Sequence, residues 1–384
     1  MKLKYLLLVV ILNSFCFAQD KERIVIGEKV SIYSNVLEKE MRLSIHIPND
    51  YKNTNISYPV LYTFQTHFEQ VAGAIKNLYD YKLTPKIICV KLDDYKFGYL
   101  SPIEFENDPN SGQANKFLKF FNEELFPYMR SNYRVNDYRI IFSNSWGGAF
   151  IVYSILTHPK LFQSGIASIP WVNYGDRDRY IINNAARIIN STTYYNNYLY
   201  MTMDNESILL PDLEHFIDIL NNNPKSGLAW EYHHWPEEDH TSTPYRSIYS
   251  GLRTLYGDWY QIPDDIANKG LKEIKRYELM LHKKFGYDIG VSAIALRQAG
   301  NKLKRENKYD EAFEIFNYEI QKNPNDAFAY VALGRAYEEN NQLSFAKSAF
   351  EEAYQIAVSS SHPQVLWVKN FLDSITQKID STNK

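Results

Sequence analysis

The stretch from Tyr138 to Gly148, which reads YRIIFSNSWGG, constrains the fold of this chain more than any other segment. A β-prone run enters a tight turn of small residues, with Ser145 at its apex and Gly147 and Gly148 directly after it. A strand, a turn and a helix in this order are typical of a nucleophile elbow, which pushes a serine hydroxyl out at the carboxyl edge of a sheet. The one departure from the usual G-x-S-x-G pattern is Ser143, which stands in the place of the first glycine. The stretch therefore predicts an α/β sheet with Ser145 as a nucleophile.

Short apolar runs alternate with longer helical patterns, which predicts an α/β domain over residues 19–262. The first two predicted strands alternate in polarity, as a hairpin with one solvated face does. The middle ones are continuously apolar, as expected of parallel strands that are covered on both faces. The eight predicted strands are Val30–Ser34, Arg42–Ile47, Val60–Phe64, Ile87–Leu92, Arg139–Phe142, Gly165–Ile169, Tyr198–Met203 and Trp230–His233.

Beyond Pro263 the pattern changes to helix alone, which predicts a bridging helix within residues 263–288 and a helical domain over residues 289–380. Key residues of this domain recur 34 positions further on, as in tetratricopeptide repeats, where small residues let paired helices approach closely. Two repeats are fewer than a free-standing array needs, so this region is expected to lean on the sheet domain. A third stretch, Gln364–Ile379, is expected to cap the stack. The recurring pairs are Gly300 and Gly334, Ala312 and Ala346, and Phe316 and Phe350.

The composition argues against several classes of function. A net charge of −3 gives no electrostatic basis for binding nucleic acid or an anionic membrane surface. An apolar fraction of 45% supports a core that does not depend on disulfides. Cys89 lies in an apolar run, which predicts a buried and unreactive thiol. The aromatic share of 15% is high enough to line a pocket for sugar or aryl groups as well as the core.

The first residues have the pattern of a secretory signal peptide. Lys2 and Lys4 precede the apolar run Tyr5–Leu12, and small residues near Ala18 provide a cleavage site after it. The run is short for a bilayer span, so no membrane span is expected once residues 1–18 are removed. An uncleaved anchor is the alternative. The sequence therefore predicts a secreted or periplasmic protein.

A serine nucleophile needs a base, an acid that orients the base, and donors for the oxyanion. His240 follows the last predicted strand, where the hydrolase order of serine, acid and histidine places the base. The competing candidates are His233 and His234 at the end of that strand, for which a structural role is expected. The acid is expected after the preceding strand, where either Asp204 or Glu206 fits.

Two backbone N–H groups are expected to hold the oxyanion. One belongs to Trp146, directly after the nucleophile, and the other to the loop Gln65–Thr66 after the third strand. His67 precedes the serine, against the hydrolase order, and is interpreted as a pocket wall. No histidine pair has ligand spacing that supports a metal site, so neither a metal nor an organic cofactor is predicted.

Together these residues resemble the esterase D-like branch of the α/β-hydrolases, which includes siderophore esterases, S-formylglutathione hydrolases and mycolyltransferase-like proteins. The resemblance runs from about Val30 to Tyr260. It implies that the acid is Glu206, with Asp204 as substitute, and tetratricopeptide repeats are a familiar addition in secreted bacterial members. The segments that carry the resemblance are Tyr58–Tyr62, Phe142–Gly148 and Glu238–His240.

The chain departs from that family at two places. The elbow usually reads Gly-His-Ser, where this chain has Ser143-Asn144-Ser145, and Asp-Gly usually follows the third strand, where this chain has Gln65-Thr66. The resemblance implies a serine esterase that acts through an acyl-enzyme on a siderophore, an acylated sugar or a simple acyl ester. Two alternatives stay open. The departures favour an inactive hydrolase fold that binds a protein partner through its repeats, and the same residues also suit an acyltransferase.

Overall fold

The computed structural model describes residues 24–105, 108, 110–173, 179–206, 208–360 and 362–382. The predicted signal peptide, residues 1–18, lies outside the described residues, so its cleavage stays a prediction. Among the helices that are described, none is long and apolar enough to cross a membrane.

One sheet organises the first two thirds of the chain. Its strands are β1 (Glu28–Ser34), β2 (Lys39–His46), β3 (Tyr58–Thr63), β4 (Ile88–Leu92), β5 (Val135–Asn144), β6 (Ser164–Ser168), β7 (Asn197–Met203) and β8 (Leu228–His234). They lie in the order β1-β2-β4-β3-β5-β6-β7-β8. β1 and β2 form the predicted antiparallel hairpin, β2 is antiparallel to β4, and the other neighbours are parallel.

The burial of the strands follows their sequence patterns. All residues of β3 are buried, because a central strand is covered on both faces, whereas β1 alternates between solvent and core. Helices provide the cover: α1 (Phe68–Asp80), α2 (Ala114–Phe120), α3 (Phe126–Asn132), α4 (Trp146–Thr157), α5 (Tyr180–Ser191), α6 (Leu210–Asn222) and α7 (Thr243–Leu255). The predicted α/β fold class is confirmed.

Two of these helices have unusual features. A π-helical turn, Phe121–Leu125, joins α2 to α3, and the residues on both sides of it keep right-handed helical dihedral angles. α4 is apolar around its whole circumference and is almost completely buried, as a helix in the middle of a core must be. It approaches β6 closely at Gly165, where a Cβ atom would lie 2.5 Å from Ile151.

The last third of the described chain is helical. Its elements are α8 (Gly257–Tyr260), α9 (Asp264–Ala267), α10 (Leu271–Phe285), α11 (Ala293–Arg305), α12 (Tyr309–Lys322), α13 (Ala327–Glu339), α14 (Leu343–Ser359) and α15 (Val365–Thr382). α11 pairs with α12, α13 with α14, and α15 packs on α14. A Cβ atom on Gly300 would lie 2.6 Å from the ring of Phe316, and one on Gly334 the same 2.6 Å from Phe350. This duplicated contact explains the 34-residue recurrence, and the assignment to the tetratricopeptide family stays a prediction.

The helical region shares a core with one side of the sheet domain. Phe285 at the end of α10 lies 5.2 Å from Tyr138 of β5 and stacks at 5.1 Å on Tyr256, as measured between ring centroids. The Tyr277 hydroxyl of α10 donates a 2.9 Å hydrogen bond to the Asp258 carbonyl. One continuous apolar cluster therefore runs from the sheet into the repeats, while the predicted boundaries at residues 262 and 288 stay predictions.

Candidate active site

Ser145 occupies a strained turn between β5 and α4. Its backbone has φ 55° and ψ −123°, a left-handed conformation that non-glycine residues adopt only when their surroundings enforce it. Here its N–H donates to the Ser168 carbonyl at 2.9 Å and its carbonyl accepts from the Ala149 N–H at 3.0 Å. The residue is only 7% exposed, and its hydroxyl forms no hydrogen bond with the described residues. The turn thus presents an unpartnered hydroxyl at the carboxyl end of the sheet.

The two glycines after the nucleophile are dictated by steric crowding. A Cβ atom on Gly147 would lie 2.1 Å from the Ser143 Oγ, and one on Gly148 would lie 2.8 Å from the Ser168 carbonyl oxygen. Real Cβ atoms do not approach other heavy atoms so closely. The helix can therefore begin directly beneath the turn only because both side chains are absent.

The loop after β3 is tied to this elbow by two hydrogen bonds. The buried Ser143 hydroxyl donates to the Phe64 carbonyl at 2.7 Å. The Gln65 side-chain oxygen accepts from the Gly147 N–H at 3.1 Å, and Gln65 itself has a positive φ of 59°. The Thr66 hydroxyl lies 2.8 Å from that of Thr63. Two of the residues that depart from the family pattern, Ser143 and Gln65, therefore contribute to the contact between loop and elbow.

The expected oxyanion donors lie on the two sides of that contact. Trp146 begins α4, so its N–H lies at the helix N-terminus, where the helix dipole favours negative charge. Across the contact, the N–H groups of Gln65 and Thr66 have no acceptor among the described residues. The two segments that the sequence analysis predicts to hold the oxyanion, the start of α4 and the loop Gln65–Thr66, therefore both contain backbone N–H groups.

His240 lies in the loop between β8 and α7, with the two candidate acids around its Nδ1 atom. The Glu206 Oε1 atom lies 2.8 Å from Nδ1, and the Asp204 Oδ2 atom lies 3.9 Å away. At 2.8 Å the Glu206 oxygen is close enough for a hydrogen bond but lies off the N–H direction, so the two atoms are in contact without an aligned hydrogen bond. His240 is 40% exposed at its side chain, whereas Asp204 is fully buried. The ring is therefore accessible and faces two carboxylates.

The acid loop has its own internal support. The Asp204 Oδ1 atom accepts a 2.9 Å hydrogen bond from the Glu206 N–H, which fixes the turn after β7. The Asp204 Oδ2 atom is buried without a partner among the described residues and points towards His240. The His234 Nε2 atom lies 3.1 Å from the Asp204 carbonyl, which gives that histidine a structural contact, as expected. The other candidate, His233, lies beside Glu231 at 3.5 Å.

The histidine loop is held by polar contacts on the surface. The Asp239 carboxylate accepts hydrogen bonds from the Thr241 hydroxyl at 2.7 Å, from the Thr241 N–H at 2.8 Å and from the Ser242 N–H at 2.9 Å. The Thr241 hydroxyl first, and then these amides, lower the pKa of Asp239 to about 2. The Glu238 carbonyl accepts from the Asn205 N–H at 3.3 Å, which joins the histidine loop to the acid loop.

A cavity of about 260 Å³ lies between these parts, and its walls include Gln65, Thr66, Asn144 and His240. His67 also lines it, as expected of a pocket wall. The histidine and the oxyanion loop therefore face a common space next to the nucleophile.

Aromatic rings surround the residue after the nucleophile. The Trp146 ring lies 5.3 Å from Trp171, 5.5 Å from Phe105 and 6.3 Å from Phe97, as measured between ring centroids. Phe97 is 55% exposed, so this aromatic wall reaches solvent. Sequence analysis missed it, because its members come from separate loops.

The three side chains of the acid–histidine cluster could also hold a cation. Asp204, Glu206 and His240 each offer a ligand atom, and within the described part of the chain these atoms lie within 4.8 Å of one another. The same three side chains follow β7 and β8 in the order acid and then histidine, which is typical of the acid and base of a hydrolase. We interpret the cluster in that way.

Comparisons with known proteins agree with this geometry. The sequence model of the family described as Putative esterase matches residues 34–249, more than half of the chain. The ferri-bacillibactin esterase BesA of Bacillus subtilis is 36% identical over 67 residues, which are 17% of this chain. The match spans only 23% of BesA.

Solved structures give the same fold at low identity. An IroE-like serine hydrolase from Shewanella oneidensis is 20% identical with a TM-score of 0.66, and the match covers 77% of this chain and 99% of that one. An uncharacterised protein from Capnocytophaga ochracea is 14% identical with a TM-score of 0.62, covering 85% and 94%. The siderophore hydrolase EstB from Aspergillus nidulans is 18% identical with a TM-score of 0.53, covering 62% and 99%. The predicted resemblance to esterase D-like α/β-hydrolases is confirmed.

Proposed function

The chain belongs to the putative esterase family, and from this premise we propose that it is a serine esterase that acts through an acyl-enzyme. Ser145 is the nucleophile, His240 the general base and Glu206 the acid. The observation that carries the proposal is the strained turn at Ser145, with φ 55°, together with a histidine on the loop before α7 whose Nδ1 lies 2.8 Å from a carboxylate. Such strain persists where a function needs the side chain in the open.

The reaction follows from these positions. The Ser145 Oγ attacks the ester carbonyl carbon while the His240 Nε2 takes the hydroxyl proton, and Glu206 stabilises the resulting imidazolium. The oxyanion accepts hydrogen bonds from the Trp146 N–H and from an N–H of the Gln65–Thr66 loop. The alcohol then leaves with the proton from His240. Water then attacks the acyl carbon while His240 takes one of its protons, and the Ser145 Oγ leaves with that proton, which releases the carboxylic acid and restores Ser145 and neutral His240.

We assign Glu206 rather than Asp204 as the acid because it lies closer to Nδ1. Asp204 has a supporting role in the site. It is fully buried, its unpartnered oxygen lies 3.9 Å from the ring nitrogen, and it anchors the Glu206 N–H. It therefore adds negative potential behind the imidazolium and holds Glu206 in place.

The substrate class is part of the proposal. The aromatic wall at Trp146 suits an ester with a flat ring in its acyl or alcohol part, because aromatic faces stack at such distances. BesA is named a ferri-bacillibactin esterase, so a siderophore ester is one candidate, beside acylated sugars and simple acyl esters. We further propose export to the periplasm or the exterior, on the basis of residues 1–18.

The test uses the mature protein and its Ser145→Ala variant with p-nitrophenyl acetate. Turnover by the wild type and its loss in the variant are expected, together with labelling of Ser145 by a fluorophosphonate probe. Equal rates for the two proteins would remove Ser145 from the mechanism. If the wild type neither turns over the ester nor takes the label, the alternative of an inactive binding module replaces the proposal. Product analysis with added alcohols separates acyl transfer from hydrolysis.

A further inference from the structure

Two hydrogen bonds fasten the loop after β3 to the nucleophile elbow, and both use residues in which the chain departs from its family. We propose that Gln65 and Ser143 are positioning residues that set the distance between the two oxyanion donors. The inference rests on the proposed esterase function. The pair of contacts, Ser143 Oγ to the Phe64 carbonyl and the Gly147 N–H to Gln65 Oε1, is called the oxyanion lock below.

The first half of the lock is buried. Ser143 has no exposed surface, and its hydroxyl spans the gap to the Phe64 carbonyl at 2.7 Å. The β3–β5 pairing ends at Thr63 and Phe142, so this contact extends the connection one residue beyond the sheet. A glycine at position 143 would leave the Phe64 carbonyl without that donor. The contact therefore fixes where the oxyanion loop leaves the sheet.

The second half acts at the other end of the loop. Gln65 has φ 59°, a conformation that glycine adopts without strain and glutamine does not. A side chain that is kept at such a position has to provide something that glycine lacks. Here it accepts the Gly147 N–H at 3.1 Å, one residue after Trp146, whose N–H is the proposed first donor. The glutamine thus links the loop carrying one donor to the helix turn carrying the other.

The oxyanion lock is expected to affect the rate of the chemical step more than it affects the binding of substrate. Donors for an oxyanion have to be preorganised where charge develops in the transition state, and interactions made only there raise kcat. A loop that is free to move by a fraction of an ångström can still admit the ester, because the cavity walls are otherwise unchanged. Loss of the lock is therefore expected to lower kcat and to leave KM nearly unchanged.

The lock needs only an acceptor at position 65. A glutamate could accept the same Gly147 N–H, and the family pattern itself has a carboxylate, Asp, at this position. Gln65→Glu is therefore expected to keep kcat close to the wild-type value, whereas Gln65→Gly is not. An equal fall in kcat for the two variants would contradict the lock.

The experiment compares Gln65→Gly, Gln65→Glu and Ser143→Ala with the wild type and with Ser145→Ala. The measurements are kcat and KM for p-nitrophenyl acetate, inhibition by a trifluoromethyl ketone that forms a tetrahedral adduct, and Tm. The control is Gln163→Ala, because the Gln163 side chain also accepts a backbone N–H, that of Arg139 at 2.8 Å, but in the middle of β5, six residues before Ser145. We expect Gln65→Gly and Ser143→Ala to lower kcat about tenfold or more, a fraction of the loss seen when an oxyanion donor is removed outright. Gln65→Glu, which keeps the acceptor, is expected to stay close to the wild type.

Gln65→Gly distinguishes an effect of the lock on catalysis from an effect of Gln65 on the stability of the fold. Removing a side chain from a left-handed position relieves strain, so its Tm is expected to stay level or rise while kcat falls and the ketone binds more weakly in the same proportion. Gln163→Ala is expected to lower Tm without changing kcat. Unchanged kcat in Gln65→Gly and Ser143→Ala, with Ser145-dependent turnover in the wild type, overturns the lock alone. Absence of Ser145-dependent turnover overturns the lock and the proposed function together.

Discussion

Ser145 and His240, the proposed nucleophile and base, lie in two regions that are held in different ways. Around Ser145 the chain is buried, and close packing at Gly147 and Gly148 restricts the backbone to one conformation. His240 lies in a surface loop, 40% exposed, that is held by the Asp239 hydrogen bonds and by surface ion pairs. The comparison teaches that substitutions in the first region act through packing and in the second through charge and hydrogen bonding. The variants below test that division.

The largest effect is expected from His240→Ala. Removal of the base leaves only the oxyanion hole and binding, so kcat should fall by about 10⁴-fold or more. The side chain is partly exposed, so Tm should change little. Steady-state kinetics and a thermal melt check both statements. A large fall in Tm would break the comparison, because it would show that the histidine region also depends on packing.

The two acids sharpen the comparison within the histidine region. Glu206→Gln removes the charge next to Nδ1 and is expected to lower kcat by about 10³-fold, because the imidazolium loses its partner. Asp204→Asn keeps the shape and still accepts the Glu206 N–H, so a smaller loss, about tenfold, is expected. Steady-state kcat values of the two variants decide between the carboxylates. A greater loss in Asp204→Asn would make the buried aspartate the acid.

Gly148→Ala tests the nucleophile region. Its new Cβ would lie 2.8 Å from the Ser168 carbonyl oxygen and 3.0 Å from the Pro170 Cα, and backbone atoms cannot give way cheaply. We expect a loss of about 1–3 kcal/mol in the free energy of unfolding, measured by urea denaturation. The matched control is Gly73→Ala in α1, where a Cβ would meet nothing within 4 Å. That variant is expected to gain up to about 1 kcal/mol, as exposed helix positions do. Equal behaviour of the two variants would contradict the packing argument.

The smallest effect is expected from Asp239→Ala, which loosens the histidine loop. The kcat should fall about tenfold or less, since the base stays present but is less well positioned. The folded pKa of Asp239, about 2, is below the ordinary value, so its contribution to stability is complete above about pH 4 and is lost as the pH falls through 2. The difference in Tm between wild type and variant should therefore be constant from pH 7 to about 4 and shrink towards pH 2. A difference that grows on acidification would refute this role.

The pattern of polar and apolar residues along the sequence predicted the strands of the fold. Every predicted strand overlaps an observed one, because β3 is continuously apolar and β1 alternates, and burial follows such patterns directly. The π-helical turn at Phe121–Leu125 was not predicted, because such a turn inserts a residue without changing which residues are apolar. Secretion and the exact domain boundaries stay predictions.

The site was predictable only as far as chain order and spacing determine it. The structure brings Glu206 and His240 together, as the hydrolase order implies, but the order could not separate Glu206 from Asp204, which both follow β7. The contacts of Ser143 and Gln65 were beyond prediction, because each pairs residues about 80 positions apart. From the sequence alone they were only departures from a pattern. The aromatic wall at Trp146 was missed for the same reason.

The ring of Phe285 between Tyr138 and Tyr256 has a consequence for how this protein can be divided. Tyr138 lies in β5, the strand that leads to Ser145. The side chain that packs on it, Phe285, follows the predicted boundary at Pro263. A chain that ends at that boundary would expose the apolar surface around Tyr138 and Tyr256 to water. We expect such a truncated chain to be insoluble when it is expressed. We therefore expect the sheet domain and the helical region to be stable only when they are expressed together.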